Sequence, residues 1–206
     1  MIQHIYLIRH GETDYNREGR IQGGGINSEL SDKGRIQAEM LRKRLERESL
    51  QFDYIFSSPL NRAYETAKIA ASDIKQDILT DDLLKEIDCG EYEGLLTKEI
   101  DPSILQKLRE DPYYKYPGGE NCEDVQKRAK QFLNKLNNLE KKSALIFSHG
   151  NFNRAFMSAI LDLSIEIAVK TIQHNTGLNY FQKIQSSFKL ITWNDISHID
   201  DLATWR

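Results

Sequence analysis

One pattern, used twice, limits what this chain can fold into. Residues 2–8 are largely apolar and the run stops at Arg9-His10-Gly11, while Ala144-Leu145-Ile146-Phe147 stops the same way at Ser148-His149-Gly150. Continuous apolar runs of this length suit strands buried on both faces of a sheet. Polar groups at the mouths of such strands lie where open α/β sheets bind their ligands. Glycine beside them lets backbone come close to whatever binds. A single histidine at a strand end is more often structural than functional. The repetition makes Arg9, His10 and His149 candidate site residues.

The chain between these runs alternates strands with helices. Ser31 reads as an N-cap, and Ala38, Leu41 and Leu45 predict a helix toward residue 48 whose charged run, 42–48, forms a solvated face. Residues 52–57 read as a second strand. Ser58-Pro59 is expected to open a helix with proline at its first position, placing Arg62 in or near the first turn, where the helix dipole favours an anion. By itself Arg62 reads as a surface arginine. Residues 12–30, with Gly19, Gly23, Gly24 and Gly25, read as a loop, either functional or a flexible connection.

Residues 92–119 are polar and aromatic, with three prolines and one short helix over 103–110, and are expected to form an inserted lid. A long amphipathic helix follows over 120–141, and a helical stripe from Phe152 to Ile160 begins just after His149. Residues 178–184 and 188–193 read as strands joined by a turn, a C-terminal hairpin at one side of the sheet. The expected architecture is α/β: a three-layer sandwich with a mainly parallel central sheet, helices on both faces, a short inserted lid and a C-terminal hairpin. It forms one domain over residues 1–206.

The 206 residues suffice for one buried core. A net charge of −3, from 28 basic and 31 acidic side chains, argues against a broad nucleic-acid or membrane surface, so any anion site is local. Two isolated cysteines, Cys89 and Cys122, make neither a disulfide framework nor a zinc site. The apolar start is too short to span a membrane and carries Arg9 where a cleavage region would be, so a cytoplasmic location is expected.

Several segments taken together resemble one family. They are Arg9-His10-Gly11-Glu12-Thr13, Asn16, Arg62 within Ser57-Ser58-Pro59-Leu60-Asn61-Arg62-Ala63-Tyr64-Glu65-Thr66-Ala67, Glu86 before Gly90-Glu91-Tyr92-Glu93-Gly94, and Ser148-His149-Gly150. In order and over nearly the whole chain, this resembles the histidine phosphatase family, which includes cofactor-dependent phosphoglycerate mutases and many phosphomonoesterases. The resemblance implies that His10 is the nucleophile and forms a phosphohistidine. It implies that Arg9, Asn16, Arg62 and His149 bind the phosphoryl group, with Asn151 as an additional contact. Gln22 and Gly23 fall in its substrate-contacting segment, and Cys89 and Tyr92 stand at substrate-side positions.

Glu86 is read as the general acid that protonates the leaving alcohol and then activates water, with Asp88, Glu91, Glu93 and Glu12 as nearby competitors. Arginines match phosphate oxygens with planar forks, so no metal and no cofactor is expected. His4, His174 and His198 have no place in this chemistry.

The chain departs from the family's mutases in ways that favour hydrolysis. Cys89 stands where mutases carry a substrate-contacting tyrosine, and the lid is short and lacks an adjacent arginine pair. Tyr92 in place of a common tryptophan is a mild change that preserves packing, and Asn151 after His149-Gly150, which occurs in mutases, points the other way. The expected activity is a metal-independent phosphomonoesterase acting on a small phosphorylated metabolite. The alternatives are a cofactor-dependent phosphoglycerate mutase and, from another class, a non-catalytic phosphate-binding module. The free edge of the hairpin offers a surface for a homodimer.

Overall fold

A computed structural model describes residues 1–199. One sheet holds β1 (His4–Arg9), β2 (Tyr54–Ser57), β3 (Ile78–Thr80), β4 (Ser143–Ser148), β5 (Leu178–Ile184) and β6 (Ser187–Asp195), in the spatial order β3-β2-β4-β1-β5-β6. β1 to β4 run parallel, β5 lies antiparallel beside β1, and β6 folds back on β5 as the expected hairpin. β4 is buried at every residue, which is why it reads as an unbroken apolar run.

The helices are α1 (Asp14–Glu18), α2 (Asp32–Arg47), α3 (Asn61–Ala70), α4 (Pro102–Glu110), α5 (Cys122–Asn137), α6 (Gly150–Ile160) and α7 (Glu166–Val169). Successive strand residues point to opposite faces. Leu7 and Ile146 pack with Phe132, Phe152 and Phe156 of α5 and α6 on one face. Ile8, Leu145 and Phe147 pack with Leu41, Leu45, Ala67 and Ala70 of α2 and α3 on the other. Each fully buried large side chain contributes about 1.5–3 kcal/mol by leaving water. The three-layer α/β architecture is therefore as expected. Among the described residues no helix is long and apolar enough to cross a membrane.

The structure corrects four local expectations. Residues 12–30 are not loop throughout: Thr13 and Asn16 form a reciprocal capping box that starts α1. α3 begins at Asn61 and not at Pro59, because Ser58 is held back in the turn, where its Oγ accepts from Leu60 N at 3.3 Å. Arg62 still lies in the first turn. β3 has no counterpart among the strands expected from the sequence, because three residues on a sheet margin carry no usable periodicity. Finally, the charged run 42–48 is not wholly solvated. Arg44 is buried and bonds Glu48 at 2.8 Å and Asp195 at 2.6 Å, tying α2 to the end of β6.

Residues 92–119 carry a short 3-10 turn at Thr97–Glu99 and then α4, capped by Asp101 with Pro102 at its start. Leu105 and Leu108 of α4 and Tyr116 line a cavity beside the ends of β1 and β4.

Candidate active site

β1 and β4 are parallel neighbours in register, with Arg9 opposite Ser148. The next residue of each strand end is therefore His10 and His149, and their rings face each other with centroids 5.2 Å apart at an inclination of 60°. β2, on the other side of β4, delivers Ser57-Ser58, and α3 follows with Arg62 in its first turn. The turn after His10 is clamped by backbone contact: a Cβ on Gly34 would lie 2.0 Å from the Glu12 carbonyl oxygen, and one on Gly11 2.6 Å from that of Gly34. Gly11 N also donates to Thr66 Oγ1 at 3.0 Å.

His10 Nδ1 lies 2.7 Å from the Gly11 carbonyl oxygen, which can only accept, so Nδ1 carries the proton and Nε2 keeps its lone pair. Burial, reinforced by Arg62 and Arg9, pushes the His10 pKa well below 6.5, leaving the ring neutral at neutral pH. His149 is wholly buried and its pKa is likewise pushed well down by burial, then Arg62 and His10. Its Nε2 meets Ser58 Oγ at 2.8 Å, while Nδ1 is buried without a hydrogen-bond partner.

Two guanidiniums supply the positive charge. Arg62 is fully buried, donating to the Ile26 and Gly23 carbonyls at 2.8 Å each. Arg9 donates to the Gln173 carbonyl at 2.6 Å. Burial lowers both pKa values to about 10, so both stay cationic at neutral pH. Together the four groups make a desolvated, positively charged recess with an unprotonated imidazole nitrogen inside it. Such a recess suits a phosphate ester.

Of the remaining predicted residues, Glu86 and Asn151 line the cavity that Arg9 reaches, while Asn16, Gln22, Gly23, Cys89 and Tyr92 are not among its lining residues. Asn16 Oδ1 caps α1 and lies 3.4 Å from Asn175 Nδ2, which also donates to the His10 carbonyl at 2.9 Å. Glu86 accepts from Ile87 N at 2.9 Å and from Asn151 N and Phe152 N at 3.3 Å each, so its carboxyl group sits at the start of α6. Asn151 Oδ1 accepts from Arg154 Nη2.

The Gln22 side-chain oxygen is taken by Thr13 and Ser28, and the Gly23 carbonyl by Arg62. Cys89 is buried and Tyr92 packs edge-on against Tyr116, so the structure puts both behind Tyr116, which lines the cavity. The cavity, about 600 Å³, is also lined by Arg9, Glu86, Asn151, Arg109, Arg154 and His174. His4, the first residue of β1, bonds Tyr180 Oη of β5 at 2.9 Å. His198 meets Thr176 Oγ1 at 3.2 Å and Arg44 Nη1 at 3.4 Å. Among the described residues, no group of three or more His, Cys, Asp or Glu side chains is placed to hold a metal ion.

Sequence reasoning missed Ser58, which orients His149, and Arg154 and His174 on the cavity wall. Ser58 had a signal: it leaves β2 as His10 leaves β1. Arg154 and His174 had none, because only tertiary folding brings them to the cavity.

Fold and recess together define an α/β enzyme built around paired histidines and arginines at the carboxyl ends of neighbouring parallel strands. Residues 5–196 match the family model of the histidine phosphatase superfamily, branch 1. The chain belongs to that superfamily. A mycobacterial glucosyl-3-phosphoglycerate phosphatase structure superposes with a TM-score of 0.87 at 29% identity, covering 93% of this chain and 98% of that one. Phosphoglycerate mutase-like protein 4 of Arabidopsis thaliana is 30% identical over 96% of this chain and 87% of its own. The 2-carboxy-D-arabinitol-1-phosphatase of Triticum aestivum is 33% identical over 84% of this chain, which spans only 35% of that protein. The phosphatase-named relatives and the family match make this protein a phosphoric monoester hydrolase.

Proposed function

We propose that the protein hydrolyses a small phosphorylated metabolite through a phosphohistidine on His10, without a metal ion. The observation that carries this is the register of β1 and β4, which sets a neutral His10, its Nε2 unprotonated, against His149, with the buried Arg62 and the half-buried Arg9 close by. Nε2 attacks phosphorus, the P–N bond forms as the ester P–O bond breaks, and Glu86, as general acid, gives a proton to the departing alkoxide. Water then attacks the phosphohistidine, Glu86 takes back from it the proton given to the alkoxide, the P–N bond breaks and inorganic phosphate leaves. Arg9, Arg62 and His149 stabilise the charge on the equatorial oxygens in both steps, with Asn16 and Asn151 beside them. Residues 92–119 act as a lid that selects the organic part of the ester.

The second reading is a phosphoglycerate mutase, favoured by the likeness to the Arabidopsis mutase-like protein. A mutase must hold a doubly phosphorylated intermediate, and residues 92–119 offer Arg109 alone in place of an arginine pair. The lid itself therefore favours hydrolysis, with Arg154 of α6 the other cation beside Arg9 on the cavity wall. Trapping of acid-labile phosphate on the protein, lost in His10→Ala, tests the proposal. Labelling that persists in that variant contradicts it.

The same proposal includes a cytoplasmic protein able to form a homodimer through the free edge of β6. Gel filtration at several concentrations tests the dimer.

A further inference from the structure

We propose that Arg128 is a positioning residue for Glu86, a role that rests on the reading of Glu86 as general acid. Arg128 lies in the second turn of α5, and its guanidinium engages all of its N–H donors. Nε and Nη2 grip the two carboxylate oxygens of Glu120 at 2.9 Å each. Nη1 donates to the carbonyls of Leu83 at 2.8 Å and Lys85 at 3.1 Å, and Nη2 to that of Glu86 at 3.2 Å. Glu120 in turn accepts from Asp88 N at 2.9 Å and donates its own N–H to the Asp88 carbonyl at 2.8 Å. Leu83, Lys85 and Glu86 itself are therefore bound directly to one side chain on a long helix whose inner face is buried in the core, and Asp88 is bound to it through Glu120.

The consequence lies on the other side of the same residue. With the Glu86 backbone held by α5, its carboxyl group reaches to Asn151 N and Phe152 N at the start of α6, next to the recess. The segment around Glu86 has little regular structure to hold it, being a single 3-10 turn at Asp82–Leu84 followed by extended chain. Ser148 Oγ adds one bond, to the Leu84 carbonyl at 2.6 Å. The planar fork of arginine reaches a carboxylate and three carbonyls at once, which the single point charge of lysine cannot do. Proton transfer to a leaving oxygen demands placement within hydrogen-bond reach, so loosening this clamp withdraws the acid without touching the phosphate-binding groups.

A pair of similar esters separates that role from general damage. Benzyl phosphate leaves as an alkoxide and needs the acid, whereas 4-nitrophenyl phosphate leaves as a stabilised phenolate and does not. The ratio of kcat/KM for the two is independent of how much of a variant is folded. In Glu86→Gln and Arg128→Lys alike, that ratio is expected to fall by about tenfold or more, since general acids contribute roughly 10²–10⁴ in rate. If Glu86→Gln lowers the ratio while Arg128→Lys slows both esters equally, or neither, the positioning role is overturned and the acid role stands. If Glu86→Gln leaves the ratio unchanged, the acid role itself fails and the inference falls with it.

Discussion

The rings of His10 and His149 lie with centroids 5.2 Å apart at the ends of neighbouring parallel strands, and both are buried beside two guanidiniums. Both therefore titrate well below 6.5, His10 through burial and then Arg62 and Arg9, His149 through burial and then Arg62 and His10. As pH falls below about 6.5, the unfolded chain takes up protons that these native imidazoles refuse. Stability is full above that pH and declines below it, by about 1.4 kcal/mol per pH unit for each histidine. Urea midpoints between pH 7.5 and 5 should show this fall, with a shallower slope in His149→Gln. An equal slope in that variant contradicts the buried neutral state.

In the proposed mechanism Arg62, buried beside His10, stabilises charge on the phosphoryl oxygens. Arg62→Ala should lower kcat by about a hundredfold or more, the usual effect of deleting one preorganised transition-state donor. A near-native kcat from steady-state kinetics contradicts its role.

Ser58 Oγ is 2.8 Å from His149 Nε2 and fixes how that ring faces His10. Ser58→Ala should cost roughly tenfold in kcat/KM, because a small misplacement of a positioned group is expensive in rate. Unchanged kcat/KM would show that His149 is oriented by its packing alone.

Gly34 lets α2 touch the turn after His10 backbone to backbone, and a Cβ added there would lie only 2.0 Å from the Glu12 carbonyl oxygen. Gly34→Ala should destabilise the fold by about 2 kcal/mol, in the range for overpacking, and lower activity with it. Thermal unfolding of the variant at the wild-type temperature would contradict this close contact.

What could be read from the sequence follows from how local each signal is. His10 and His149 announce themselves because the strand and its polar ending are contiguous in the chain. The α5 and α6 stripes, with Phe132, Phe152 and Phe156 at helical spacing, likewise carry their own periodicity. Arg44 reads as solvated because its partner Asp195, which helps draw it in, is 151 residues away. The same holds for Arg128, whose carbonyl partners Leu83, Lys85 and Glu86 lie more than forty residues back. α1 is hidden because five residues are too few to show a period, although Thr13 and Asn16 form the cap that starts it. Cavity-lining residues such as Arg154 and His174 are set by how α6 and the segment after α7 meet, which no short pattern encodes.

Phosphorus NMR of the purified protein tests the central claim most directly. The sample would contain a chelator and a pool of phosphorylated metabolites, with 3-phosphoglycerate and a trace of the 2,3-bisphosphate among them. The predicted result is steady growth of inorganic phosphate at the expense of one ester, abolished in His10→Ala and indifferent to the chelator. Formation of 2-phosphoglycerate without release of phosphate would contradict hydrolysis and establish a mutase.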